Sequence, residues 1–166
     1  RGNWPTGASP VQAGEIVVVA GGRADRGQPR LFGVRLGGKG DVTLTHRAWK
    51  REDVGTFVPT PAEDKGRIYV LRDQGEVECL DPATGQTMWQ GAFPKASAKY
   101  YASPVIAAGK LYAAREDGVM FVAQAEGGFK VLAENRMEER ILASPVPVSN
   151  RLLIRGEEHL FCAAEK

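Results

Sequence analysis

The sequence predicts an all-β fold, a β-propeller made of blades that are four-stranded antiparallel meanders. Two observations predict it. A small hydroxyl residue precedes a proline four times, at Ser9-Pro10, Thr60-Pro61, Ser103-Pro104 and Ser144-Pro145, with steps of 51, 43 and 41 residues. A step of about 40 to 50 residues belongs to propeller-type repeats, whose units are small sheets that bury their faces only against a neighbour. After each step come short apolar runs parted by Gly or Asp-Gly turns, which is how an antiparallel meander reads. The chain is therefore expected to be one partial propeller domain over 1–166. Its repeats fall at about 8–50, 56–91, 100–135 and 142–166, about four blades with the last lacking its outer strand.

Taken in order, the first repeat places its second strand at 15–20 and resumes at 30–34 after a nine-residue insertion, 21–29, with an outer strand over 42–49. The second repeat gives strands at 57–62, 67–72, 76–80 and 87–90. The third gives 100–106, 110–115, 119–124 and 129–134, and the fourth gives 142–148, 151–155 and 159–163. Proline cannot donate to a strand ladder and belongs on an edge strand. Four prolines at one repeat position point to the inner edge beside a central channel. The second strands are near-continuous apolar runs, such as Ile16-Val17-Val18-Val19 and Ile68-Tyr69-Val70-Leu71. A strand covered on both faces has that composition.

The chain has 166 residues, 43% apolar and 25% charged, with a formal net charge of +2. That is enough for a real core, and too little charge to argue for nucleic acid or an anionic membrane. No stretch of about 18 apolar residues exists to span a bilayer. The chain opens on Arg1 without an initiator Met or a signal peptide, which suggests a processed or truncated piece. Cys79 and Cys162 occupy matching third-strand positions two blades apart. They are expected to be small buried apolar residues, since a disulfide needs Cα atoms within about 7 Å. Neither belongs to a CxxC or His cluster. His46 is expected on an exposed outer strand and His159 at a turn, with no partners for a catalytic triad. Gly21-Gly22 precedes no helix and is no phosphate loop. No catalytic, metal or cofactor site is expected.

The segment Cys79-Leu80-Asp81-Pro82-Ala83-Thr84-Gly85-Gln86-Thr87-Met88-Trp89 resembles the tryptophan-docking motif of pyrroloquinoline-quinone-like propeller repeats, Ala-x-Asp-x-x-Thr-Gly-x-x-x-Trp. Cys79 replaces the alanine; Asp81, Thr84, Gly85 and Trp89 match. The first repeat keeps only a late Trp49, and the third has no Trp. The resemblance implies a structural docking role for the four matching residues. It also implies a bacterial, extracytoplasmic (periplasmic) setting, and that the chain corresponds to the C-terminal half of such a protein. Dehydrogenases with this fold hold calcium with carboxylates in the channel. The inner strands here offer hydroxyls and no acid, whereas calcium wants six to eight oxygens, several of them charged.

The loops joining strands two and three, and those joining one blade to the next, should share a face. That face would collect Arg23, Arg26, Arg51, Lys95 and Arg140, with Tyr100 and Tyr101 at the channel mouth as candidate aromatic anchors. The expected function is a non-catalytic scaffold that binds a protein or peptide there. The alternative is half of a quinone-dependent dehydrogenase-type propeller whose active site lies in other sequence. Four blades leave two open sheet faces. Two routes close them: a homodimer completing an eight-bladed ring, or an N-terminal half.

Overall fold

The structure, a computed structural model, describes residues 7–22 and 29–164. Its strands make four antiparallel sheets in chain order, each a plain up-and-down meander. The first blade contains β1 (Val11–Ala13), β2 (Ile16–Gly21), β3 (Arg30–Arg35) and β4 (Arg47–Arg51). The second contains β5 (Ala62–Asp64), β6 (Arg67–Leu71), β7 (Glu76–Leu80) and β8 (Thr87–Ala92). The third contains β9 (Val105–Ala107), β10 (Lys110–Ala114), β11 (Val119–Gln124) and β12 (Lys130–Arg136). The fourth has three strands, β13 (Val146–Val148), β14 (Arg151–Arg155) and β15 (Leu160–Ala164).

Local chemistry sets the hairpins. Lys65-Gly66 and Ala108-Gly109 join first to second strands with φ of 50° and 72°, and of 50° and 71°. Two consecutive positive φ values mark the tight turn whose twist matches that of paired strands, and a glycine at the second position makes it accessible. Each complete blade also carries a register shift between its third and fourth strands, at Gly33/Val34, Cys79/Leu80 and Val122/Ala123. A bulge of this kind bends the outer strand and increases its twist.

The core lies between blades, not within them. Ala13, Ile16, Val18, Ala20 and Leu31 of the first blade pack against Ile68, Val70 and Leu80 of the second. Tyr69, Leu71, Val77 and Cys79 on the other face of the second blade pack against Leu111, Ala113, Phe121 and Ala123 of the third. A smaller cluster, Ala114, Met120, Ile141 and Ile154, joins the third blade to the fourth. Alternation along a strand thus buries both faces, which is why the second strands are apolar throughout.

The hydroxyl-proline steps sit just outside the inner strands. Each inner strand begins on the residue after the proline, so the predicted starts at 57, 100 and 142 are too early. The backbone ahead of each proline is used sideways instead. The Ser9 N–H donates to Thr60 Oγ1, the Thr60 N–H to Ser103 Oγ and the Ser103 N–H to Ser144 Oγ, each at 2.9 Å. A ladder of hydroxyls therefore links blade to blade along the inner edge. The outer strand of the first blade is also shorter than predicted. Residues 41–46 form a turn, so His46 lies in that turn beside Thr45 and not on a strand. The turn is held by the Asp41 carboxylate, which accepts from the Thr43 N–H at 2.9 Å.

Candidate functional site

One face of the row is a lattice of turns and linkers stitched by backbone hydrogen bonds. The second-blade turn accepts from the following linker: Phe93 N–H to Gly75 O at 3.0 Å and Tyr100 N–H to Asp73 O at 3.0 Å. That linker accepts in turn from the third-blade turn, Glu116 N–H to Lys99 O at 2.9 Å. The pattern repeats with Met137 N–H to Gly118 O, Ile141 N–H to Glu116 O and Glu157 N–H to Arg140 O. Turns joining second to third strands and interblade linkers therefore do share a face, and they alternate along it.

Side chains brace the same lattice. The Glu139 carboxylate accepts from the Glu158 N–H at 2.6 Å and meets His159 Nδ1 at 3.0 Å. Those contacts hold the Glu139 carboxyl below its ordinary pKa. Arg140 pairs with Glu157 at 3.1 Å and with Glu116 at 3.6 Å. Arg115 pairs with Asp117 at 2.8 Å and its guanidinium lies 5.2 Å from the centre of the Phe121 ring, within cation–π range.

Deeper between the first and second blades is a charged cluster that sequence reading missed. Arg51, at the end of β4, reaches Asp53 (2.5 Å), Glu78 (3.0 Å), the Gly85 carbonyl (2.9 Å) and Thr87 Oγ1 (3.1 Å). Glu78 is 6% exposed, accepts from the Thr87 hydroxyl, and has Arg72 at 3.7 Å. The bonds from Arg51 push the Asp53 pKa down to about 2 and raise that of Arg51. A buried carboxylate needs such pairing to remain charged. Its only sequence signal is Glu78, a charged residue inside the otherwise apolar stretch Val77 to Leu80 of β7.

The motif at 79–89 divides its work between two tryptophans. The Asp81 carboxylate accepts from the Ala83 N–H and the Thr84 hydroxyl, both at 2.9 Å. Gly85 takes φ of 71°. The indole lying over this turn is that of Trp49 in the preceding blade. Its Nε1–H donates to the Pro82 carbonyl at 2.7 Å. A Cβ built on Gly85 would come within 2.6 Å of the ring, and one on Gly33 within 2.2 Å. Trp89 points toward the third blade, 5.9 Å from Tyr69 and 6.1 Å from Phe129 between ring centres. Its indole N–H is buried without an acceptor among the described residues.

The predicted surface residues fare unevenly. Arg23 and Arg26 lie outside the described residues. Arg51 is spent on the internal cluster and is no free surface charge. Tyr100 is 1% exposed, stacked on Phe93 at 5.7 Å, and burial pushes its hydroxyl pKa up; it is a core residue and no surface anchor. Tyr101 is 36% exposed, and Lys95 and Arg140 are exposed. Cys79 is buried, with its thiol pushed up to about 11 by burial. Cys162 is exposed, against expectation, because among the described residues no sheet covers that side of β15. Among the described residues no group of His, Cys, Asp and Glu is arranged to hold a metal ion, and no helix is long and apolar enough to cross a membrane.

Comparison with known proteins places this geometry. The family described as outer membrane protein assembly factor BamB matches residues 6–91 and 39–148. No curated protein matches the chain. BamB from Moraxella catarrhalis superposes with a TM-score of 0.70 at 15% identity, over 96% of this chain and 45% of its own. The computationally designed Ika4 protein gives 0.65 at 13% identity, over 95% of this chain and 91% of its own. A europium-containing methanol dehydrogenase gives 0.60 at 14% identity, over 76% of this chain and 24% of its own. At such identities the structural likeness is one of fold, and the chain spans less than half of the BamB structure's length. The family match, which covers most of the sequence, decides the matter: this chain belongs to the family of pyrroloquinoline-quinone-like β-propeller repeat proteins described as outer membrane protein assembly factor BamB.

Proposed function

We propose that the chain is a non-catalytic, extracytoplasmic propeller module that docks a protein or peptide on its turn-and-linker face. One observation carries this reading. Two residues before each hydroxyl-proline step of the second, third and fourth repeats stands an apolar side chain: Val58, Tyr101 and Leu142. Val58 is half-buried, Tyr101 is 36% exposed and Leu142 is 48% exposed. They recur at one repeat position, one per blade, just ahead of the inner strands, and the interblade linkers that lead to them carry the exposed charges Lys95, Glu138 and Arg140. An apolar centre with a charged rim is how protein-docking patches are built. The lattice beneath it is hydrogen-bonded and already shaped, so little ordering cost attends binding. The family's description as an outer-membrane assembly factor supports both the protein partner and the compartment. The same reading has the open row of blades completed into a ring, by a second copy or by an N-terminal half.

A photo-crosslinking amino acid at position 101 or 95, in a bacterial periplasmic extract, should give a discrete adduct. The same probe at Leu44, which is 92% exposed on the outer turn of the first blade, should not. Equal labelling at all positions, or none at 101 and 95, would sink the docking reading.

The second reading is half of a quinone-dependent dehydrogenase-type propeller, supported by the fold likeness to methanol dehydrogenase. Pyrroloquinoline quinone with calcium would then give a bound chromophore and raise the melting temperature.

A further inference from the structure

The outer strands of the first three blades stand at equivalent places and differ in how their free edges are guarded. Each of β4, β8 and β12 is the last strand of its sheet. Register aligns them: Trp49 stands opposite Gly33, Trp89 opposite Cys79 and Ala133 opposite Val122, each at the same side of a bulge. One and three residues further on, the first blade has Lys50 and Glu52, an ion pair at 2.6 Å. The third has Glu134 and Arg136, an ion pair at 3.1 Å. At those two positions β8 has Gln90 and Ala92, and its whole length, Thr-Met-Trp-Gln-Gly-Ala, carries no charge and no proline.

That difference bears on what the edges can receive. A sheet edge presents a row of unpaired N–H and C=O groups, a template for another strand, and charges along it are a usual guard. A strand laid on β4 or β12 has to take an ion pair out of water; one laid on β8 has none to disturb. Among the described residues the β8 backbone bonds to β7 and to nothing on its outer side. Its bulge lies at Met88, and from Trp89 to Ala92 the strand pairs without interruption with Cys79 to Glu76. Gln90 and Ala92 are exposed, and Met88 is 53% exposed. The second blade is packed on both faces by its neighbours, so this edge owes nothing to the ends of the row.

We propose that the outer edge of β8 receives an extended, uncharged segment of a partner protein as a fifth strand of the second blade. The site is separate from the turn-and-linker face and does not rest on it. Main-chain hydrogen bonds supply the attraction in strand addition, and alternate side chains supply the selectivity. A neutral segment suits this edge because β8 offers no counter-charge to one that is buried with a charge of its own. A segment suits it better than a second copy of the chain. An edge of six residues buries far less than the roughly 1,200 Å² that a stable interface between globular proteins needs.

The probe is a capped hexapeptide of alternating threonine and valine, titrated to about 1 mM into the nitrogen-15-labelled full chain. Amide resonances of Met88 to Ala92 should shift, and those of β4 and β12 should not. The same peptide with every backbone nitrogen methylated has no N–H to offer and should shift none. Gln90→Lys with Ala92→Glu copies the Lys50–Glu52 guard at two exposed positions. It should weaken binding about tenfold, the cost of taking a charge pair out of water, with far-ultraviolet circular dichroism unchanged. No shift at the top concentration, shifts spread equally over the three outer strands, equal binding of the methylated peptide, or undiminished binding by the double variant would overturn the proposal. So would a wild-type dimer in light scattering that the double variant abolishes, which would give the edge to a second copy. None of these outcomes bears on crosslinking at Tyr101.

Discussion

The indole nitrogen of Trp49 lies 2.7 Å from the carbonyl oxygen of Pro82, thirty-three residues away in the next blade. This single bond anchors a ring held between Gly33 and Gly85, where neither glycine leaves room for a methyl group. Trp49→Ala should cost about 3 kcal/mol, the low end of the range for truncating a core aromatic, because the indole is only half-buried. Trp49→Phe should cost less, since most of the packing survives while the Pro82 carbonyl loses its donor, about 1–3 kcal/mol. Gly85→Ala meets both the indole and a left-handed φ, and should approach the Trp49→Ala value. Urea unfolding of the three variants checks the order.

Glu78 is the buried charge on which the first two blades converge. Arg51→Ala removes its nearest cation and leaves the carboxylate with Arg72 alone. The expected loss is roughly 3 kcal/mol, most of it the cost of an under-compensated buried charge. The double variant Arg51→Met with Glu78→Leu should recover much of that loss, because the uncompensated charge goes as well. A double variant as unstable as the sum of the singles would show that the pair stabilises in its own right.

Acid should weaken the same junction by a predictable route. The folded-state pKa of Asp53 is depressed to about 2 from an ordinary 3.8. Its contribution is therefore fully present above about pH 4 and is lost as pH falls through 2. The gap in urea midpoint between wild type and Asp53→Asn should be constant from pH 7 to pH 5 and close between pH 4 and pH 2. The gap will be small, because Asp53 is two-thirds exposed and exposed pairs are screened.

The two thiols should behave differently. A single thiol per chain, Cys162, should react with a disulfide reagent within minutes in the folded protein. Cys79, fully buried with its pKa pushed up to about 11, should react only on unfolding. Under denaturant the count should rise to two.

The repeats, the hairpin turns and the docking segment were legible in the sequence because each is local. Lys65-Gly66 must turn, and Asp81 to Gly85 encodes its own hydrogen bonds. What escaped was contact between blades. Trp49 reads as a remnant of a degenerate motif, yet it supplies the ring that covers the next blade's intact one. Arg51 reads as a solvated loop charge because Glu78, its partner, is 27 residues away. Tyr100 reads as a surface anchor beside Tyr101 because adjacent residues in a linker can point to opposite sides. Cys162 reads as buried by analogy with Cys79, and differs because among the described residues no sheet packs on its face. The hydroxyl-proline steps are legible as a repeat marker; that the prolines stand just ahead of the inner strands and not within them, and that the hydroxyls are acceptors, appears only once blades stand side by side.

The inner-edge ladder links blade to blade, and amide hydrogen exchange resolved by residue tests it directly. The Thr60 and Ser103 amides lie outside every strand, yet they should exchange slowly. Ser103→Ala should selectively release Thr60, and Ser144→Ala should selectively release Ser103. Fast exchange at both amides in the wild type, or slow exchange untouched by either substitution, would contradict the claim that these hydroxyls hold blade to blade.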